Sequence, residues 1–288
     1  MKEAYKSSGQ IFEQVSKLRS PALYQQLKAI TPGELVVVQG QYDHIEALLD
    51  TLHVPYELIT PEQMKSHNGG RVWFVNCKPY DGGVPKKAVE QFVQEGGRLV
   101  TTDWAQGLVA KVFPGRVKKV VDTSDDVVEV QCHTDIARRF LGLNYSQCHP
   151  KWWLEGSSHV FDIGEGVVPL ITSTEMEEKY GKPFVAIGFT EGKGEVLHFI
   201  SHMELQRTHL RTKEDEAGLE AFLEKIGATK TADMEEAKVA ELEAAYSTLN
   251  TLACLCVPMP ILSSDLKSSM VAGSKGASKS IKSKRLAP

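Results

Sequence analysis

His202-Met203-Glu204 follows directly on the apolar run Val196-Leu197-His198-Phe199-Ile200-Ser201, which puts an imidazole and a carboxylate two residues apart at the end of a strand. Both side chains can then face one cleft, where Glu204 would orient His202 as a general base. Such a base needs a group to activate, and the sequence offers two places to look. The stretch Gly96-Gly97-Arg98-Leu99-Val100-Thr101-Thr102-Asp103-Trp104-Ala105-Gln106-Gly107 reads as a buried strand that turns abruptly into a helix. A turn of that kind exposes one side chain beside free helix N–H groups. Here the exposed candidates are Asp103 and Trp104, neither of them Ser or Cys. Cys77 ends an earlier strand, close to Asp81-Gly82-Gly83. A thiolate there, near a histidine, would be activated; a buried thiol would act only as a small hydrophobe.

Polar residues cluster at other strand ends. Gln39, Gln41, Tyr42, Asp43 and His44 follow the first strand, and Asn76, Tyr80, Asp103 and Trp104 end or follow later ones. Convergent loops carrying such groups suit a small polar ligand, a sugar or a carboxylate, with Gln41, Tyr42, Asn76, Asp103 and Trp104 as the binding set. The competing role for Asp43 is to cap the helix that follows it. No metal or other cofactor is expected. Cys132-His133 and Cys148-His149 lack zinc-ligand spacing. His198 and His202 share a strand face but lie about 13 Å apart at 3.3 Å per residue.

The elements that must position these residues alternate. Strands over 34–40, 53–59, 71–77 and 97–102 are separated by helices over 41–52 and 85–95, a pattern of right-handed βαβ units around a parallel sheet. Ligands on such sheets sit beyond the carboxyl ends of the strands. From Val117 to Ser201 the chain is rich in strands, read as antiparallel additions to that sheet, and Trp152-Trp153 is expected to pack one ring in the core. Helices over 215–226 and 232–252 follow. The second has an apolar stripe (Val239, Leu242, Ala245, Tyr246, Leu249) for packing on its own domain or for docking a protein partner. The organisation is a helical segment over 1–30, an α/β domain over 31–228, a C-terminal helix and linker over 229–262, and a basic tail over 263–288. The tail is expected to be disordered because it has almost nothing to bury.

Composition narrows the classes. A net charge of −4 over 288 residues argues against a general nucleic-acid binder. No apolar run approaches the roughly 20 residues that span a bilayer. No secretory signal is visible, and five cysteines at irregular spacing fit a reducing cytoplasm better than a disulfide framework.

The order of these elements resembles the class I glutamine amidotransferase-like superfamily from about Gly33 to Gly227. Its ThuA-like and non-catalytic branches are the nearest in flavour. The resemblance is carried by Glu95-Gly96-Gly97-Arg98-Leu99-Val100 and by Gly192-Lys193-Gly194-Glu195-Val196-Leu197-His198-Phe199-Ile200-Ser201-His202. It implies a flavodoxin-like three-layer sandwich, with His202 and Glu204 matching the family's His-x-Glu pair. At the elbow it puts Trp104 in the nucleophile position, Ala105 in the small position and Gln106 where a Gly belongs. Indole cannot attack a carbonyl. The resemblance therefore implies a catalytically degenerate domain used for small polar ligand binding or protein assembly. The alternative is a divergent cleft hydrolase that uses Cys77 or Asp103 with His202 and Glu204.

Overall fold

Short β-branched runs bounded by Gly, Pro or polar turns build the parallel half of a large sheet. The computed structural model describes residues 1–78, 85–132, 140–142, 148, 150–204 and 207–262. Two helices come first, Lys2–Arg19 (α1) and Pro21–Lys28 (α2). The alternating part follows as Leu35–Val38 (β1), Ile45–Thr51 (α3), Glu57–Ile59 (β2), Val72–Val75 (β3), Lys86–Gln94 (α4), Arg98–Thr102 (β4) and Gln106–Val112 (α5). Every residue of β1, β3 and β4 is buried, as a strand covered on both faces requires.

The second half contributes Val117–Asp122 (β5), Asp126–Glu129 (β6), Gln131–Cys132 (β7), Lys151–Leu154 (β8), His159–Ile163 (β9), Val168–Thr172 (β10), Thr174–Tyr180 (α6), Phe184–Glu191 (β11) and Gly194–Phe199 (β12). The main sheet runs β2-β1-β3-β4-β12-β11-β10-β7. Its first five strands are mutually parallel, and β11, β10 and β7 add on antiparallel. A parallel order of 2-1-3-4-5 is the flavodoxin-like winding, and the fold is a flavodoxin-like α/β sandwich with antiparallel additions. Not every later strand joins this sheet. β5 pairs with β9 and β6 with β8 in two separate ribbons, so these four strands are not the additions to the main sheet that were expected. Both Trp152 and Trp153 are buried, where packing of one ring was expected.

The helix expected over 215–226 is broken at Ala217-Gly218 into Lys213–Glu216 (α7) and Leu219–Ile226 (α8). The last helix, Val239–Cys256 (α9), starts later and ends later than the expected 232–252. It is buried on nearly all sides, with only Glu241 and Cys254 half-buried, which leaves it no free face for a protein partner. It packs against α1, where Ser8 Oγ donates to the Leu242 carbonyl at 3.3 Å. Beyond α9 the chain is held by a buried ion pair. Arg98 donates to Glu195 at 3.0 Å and to the carbonyls of Leu255 (2.6 Å), Val257 (2.9 Å) and Met259. Glu195 Oε1 accepts the N–H groups of Ile261 (2.8 Å) and Leu262 (2.7 Å). The expected tail over 263–288, the short helix read at 134–141 apart from its last two residues, and Tyr80 and Asp81 lie outside the described residues.

Candidate functional site

In a 2-1-3-4 parallel order the connections leaving β1 and β3 go to opposite sides, and the crevice opens between the ends of these two strands. The two ends meet closely there. Gln41 N–H donates to the Cys77 carbonyl at 3.0 Å, and a Cβ on Gly40 would stand 2.4 Å from that same oxygen, so only glycine permits the approach. Asn76, fully buried, is consumed by this junction. Its Oδ1 accepts Ile45 N–H at the start of α3 (3.3 Å), and its Nδ2 donates to Glu46 (2.9 Å). Asn76 therefore positions the helix and does not face a ligand.

The elbow after β4 differs from expectation in one decisive respect. Asp103, not Trp104, has the left-handed backbone (φ 46°) that a sharp strand-to-helix turn imposes on its apex residue. Asp tolerates that region better than most side chains because its short carboxylate can bond locally. The apex thus turns the Asp103 carboxylate inward, to where Cys77 and His202 converge. Cys77 Sγ donates to Asp103 Oδ2 at 3.2 Å, and His202 Nε2 lies 3.2 Å from the same oxygen. His202 Nδ1 lies 3.1 Å from Glu155 Oε2. Asp103 Oδ1 is buried without a hydrogen-bond partner among the described residues.

Glu204 is not the carboxylate on this imidazole pair of contacts. It lines a separate cavity of about 810 Å³ between α1, α2 and α3, with Tyr5, Leu27 and Leu48. The reason is its backbone: the N–H groups of Met203 and Glu204 both donate to the buried Asp43 carboxylate, at 3.1 Å each, which turns the Glu204 side chain away. Asp43 is not the cap of α3, whose N-cap residue is His44; its carboxylate accepts the adjacent His44 N–H at 3.0 Å and ties the His202 loop to the β1 end. Asp43→Ala would strand two loop N–H groups, so unfolding free energy in urea should fall by about 2–3 kcal/mol. A loss within error of zero would mean that these bonds do not hold the loop.

Electrostatics follow the packing. Burial and the neighbouring Asp103 charge push the Cys77 thiol far above its ordinary range. For His202 burial alone would lower the pKa, but Asp103, Asp43 and Glu155 outweigh it and raise the value. Burial raises Glu155, with His202 pulling the other way. The cluster is closed: the His202 side chain has 0% exposed surface and that of Asp103 3%. A cavity touching His202 measures only about 10 Å³.

Over this cluster lies an aromatic surface. Trp104 and Tyr42 meet edge to face at 5.8 Å, Trp104 stacks on His159 at 6.1 Å, and Lys78 Nζ sits 5.7 Å from the Tyr42 ring and 5.9 Å from that of Trp104. Trp104 Nε1 donates to the Ser157 carbonyl at 2.7 Å. Gln41 is exposed beside them. Glu155 and Ser157 come from the β8–β9 connection and His159 opens β9; the sequence shows the connection only as the turn Gly156-Ser157. Nothing in its local pattern announces that it folds over the elbow.

The absence of a metal-ligating group among local motifs does not extend to the folded chain. Cys77, Asp103 and His202 each offer a ligand atom, and these atoms all lie within 4.8 Å of one another. They come from three strand ends, so no sequence spacing could reveal them.

No protein-family model and no curated protein matches the chain. Solved structures do, at low identity. A glutamine amido transferase from Methylobacillus flagellatus is 14% identical with a TM-score of 0.45, over 78% of this chain and 93% of that one. A ThuA-like protein from Bacteroides uniformis is 12% identical with a TM-score of 0.41, over 58% and 80%. The GH42 β-galactosidase Gan42B is 13% identical with a TM-score of 0.36; the match covers 59% of this chain and spans only 27% of that one. Glutamine amidotransferases and a ThuA-like protein are thus among the structural neighbours, and the likeness is one of fold.

Proposed function

We propose that this chain is a ligand-binding domain on an amidotransferase-like fold that does not perform thiol-dependent hydrolysis. The observation that carries this reading is the apex of the elbow: a buried Asp103 stands there, and the Cys77 thiol donates a hydrogen bond to that carboxylate. A thiol held protonated beside a negative charge is a poor nucleophile. Enclosure of His202 removes the imidazole from any substrate carbonyl as well. What remains open at the strand ends is the Trp104–Tyr42 surface with Lys78 and Gln41. Flat aromatic faces with a cation and an amide suit a small polar ligand, a sugar ring or a carboxylate.

The purified protein should release no ammonia from glutamine and no nitrophenol from a nitrophenyl ester above the buffer rate. Hydrolysis that disappears in His202→Ala would overturn the reading in favour of a hydrolase built on Asp103, His202 and Glu155. Titration with galactose, glucose and glutamate, followed by tryptophan fluorescence, tests the binding half. A saturable change with one of them should be lost in Trp104→Ala.

A further inference from the structure

The cluster beneath the aromatic surface has a composition that hydrolysis by a thiol does not use. One sulfur, one nitrogen and one carboxylate oxygen converge from the ends of β3, β4 and β12, all buried, with their ligand atoms within 4.8 Å of one another. We propose that Cys77 Sγ, Asp103 and His202 Nε2 bind a divalent transition-metal ion of the zinc class, with Glu155 as the carboxylate that holds the second imidazole nitrogen. This goes beyond the ligand-binding reading and does not depend on it.

Four observations support the assignment. First, the donor set is mixed sulfur, nitrogen and oxygen, the chemistry that borderline-soft zinc accepts and that calcium or magnesium does not. Second, the spacing is right. Bonds of about 2.0–2.3 Å in a tetrahedron separate neighbouring ligand atoms by roughly 3.3–3.5 Å, and both Sγ and Nε2 lie 3.2 Å from Asp103 Oδ2. Third, Asp103 Oδ1 is buried with no hydrogen-bond partner among the described residues, although Asp103 is 2% exposed. A buried carboxylate oxygen without a partner is costly, and an ion beside it removes the cost. Fourth, His202 meets a carboxylate at the nitrogen opposite the cluster, Nδ1 to Glu155 Oε2 at 3.1 Å. Metal-bound histidines almost always carry such a partner, which fixes the ring and makes Nε2 a better ligand.

Charge also balances. Binding breaks the Cys77 S–H bond and gives its proton to solvent, together with any proton carried on His202 Nε2, so that the imidazole binds neutral. A thiolate and a carboxylate then cancel the two charges of the ion, so the buried site becomes neutral. Without an ion, Cys77 Sγ and His202 Nε2 both lie 3.2 Å from the one oxygen, Asp103 Oδ2. Binding ionises the Cys77 sulfur, and that change is measurable.

The probe is Co²⁺ alone, added to full-length protein freed of metal by a chelator. The expected result is a sulfur-to-cobalt charge-transfer absorption that saturates at a single ion per chain and is displaced by Zn²⁺. Cys77→Ser should abolish that band while leaving the far-ultraviolet circular dichroism unchanged, and Cys132→Ser should keep it. Glu155→Gln replaces a partly exposed side chain, so it should fold, and it should weaken Zn²⁺ binding about 10- to 100-fold. No saturable cobalt band in the wild-type protein overturns the proposal, as does a band that survives Cys77→Ser. Should Cys77→Ser fail to fold, Glu155→Gln decides: an unchanged Zn²⁺ affinity overturns the site. None of these readouts needs turnover, so they stand apart from the hydrolysis assay.

Discussion

Arg98→Ala should lower the unfolding free energy by about 3–5 kcal/mol, because breaking one side of a buried ion pair leaves the other charge uncompensated. In a domain of this size that is on the order of 10 °C in Tm. The effect is large because Arg98 does several things from one buried position. It neutralises Glu195 and donates to the Leu255 carbonyl in the last turn of α9 and to the Val257 and Met259 carbonyls beyond it, while Glu195 accepts two N–H groups from the segment that follows the helix. Losing the guanidinium should free residues 258–262, so limited proteolysis should cut there before the rest of the chain unfolds. Equal cutting rates in wild type and variant would show that the segment is held by its apolar contacts instead. Arg98→Lys should recover little, since an ammonium cannot reproduce a fork shared among four acceptors.

The second large effect is a pH dependence with a definite sign. His198 lies inside the sheet, its Nδ1 2.9 Å from Thr101 Oγ1 and its ring 5.1 Å from Phe161. Burial drives its pKa from 6.5 down to about 3, only partly opposed by Asp103. The unfolded chain therefore takes up a proton that the folded chain refuses, and stability falls as pH drops below about 6.5. The slope is about 1.4 kcal/mol per pH unit, so roughly 3 kcal/mol is lost between pH 6.5 and 4.5. His202 has the opposite sign. Its raised folded value gives stability that is complete below the unfolded pKa and is lost as pH rises through the folded one. Burial also raises Glu155 and Glu204, so the difference between wild type and His198→Gln isolates the buried imidazole. Urea denaturation at a series of pH values should show that difference shrinking toward pH 4.5. Parallel curves would mean that His198 is not buried as a neutral ring.

The parallel half of the fold was legible because its strands are local: Leu35-Val36-Val37-Val38 and Val72-Trp73-Phe74-Val75 are short apolar runs with clear breakers on either side. The site was legible only in part. His202, Cys77 and Asp103 stand at strand ends, where their types draw attention, and the structure brings these three together. Which elbow residue takes the left-handed backbone is a different matter. That depends on how β4 meets α5, and the pattern placed Trp104 where Asp103 belongs. Glu204 follows His202 so closely that it looked like the partner, but two backbone bonds to Asp43 aim it elsewhere. Glu155 arrives from a connection between two small ribbons, 47 residues before His202 by position and adjacent only in space. α9 was harder for another reason. Its buried Ser247, Asn250 and Thr251 look like an exposed face until Trp152 Nε1 and the Phe140 carbonyl are seen to satisfy them.

The pairing of α1 with α9 has a cost that appears during synthesis. Ser8 and Leu242, which bond across that pair, are 234 residues apart. At roughly 5–20 residues per second, a ribosome takes on the order of 10–50 s to deliver the second helix after the first has emerged. Throughout that interval α1 has only its early neighbours α2 and α3 to pack on, and the face that meets α9 lacks its cover. The nascent chain must be sheltered by a chaperone or rely on dilution, and expression at lower crowding and slower initiation should raise the folded yield.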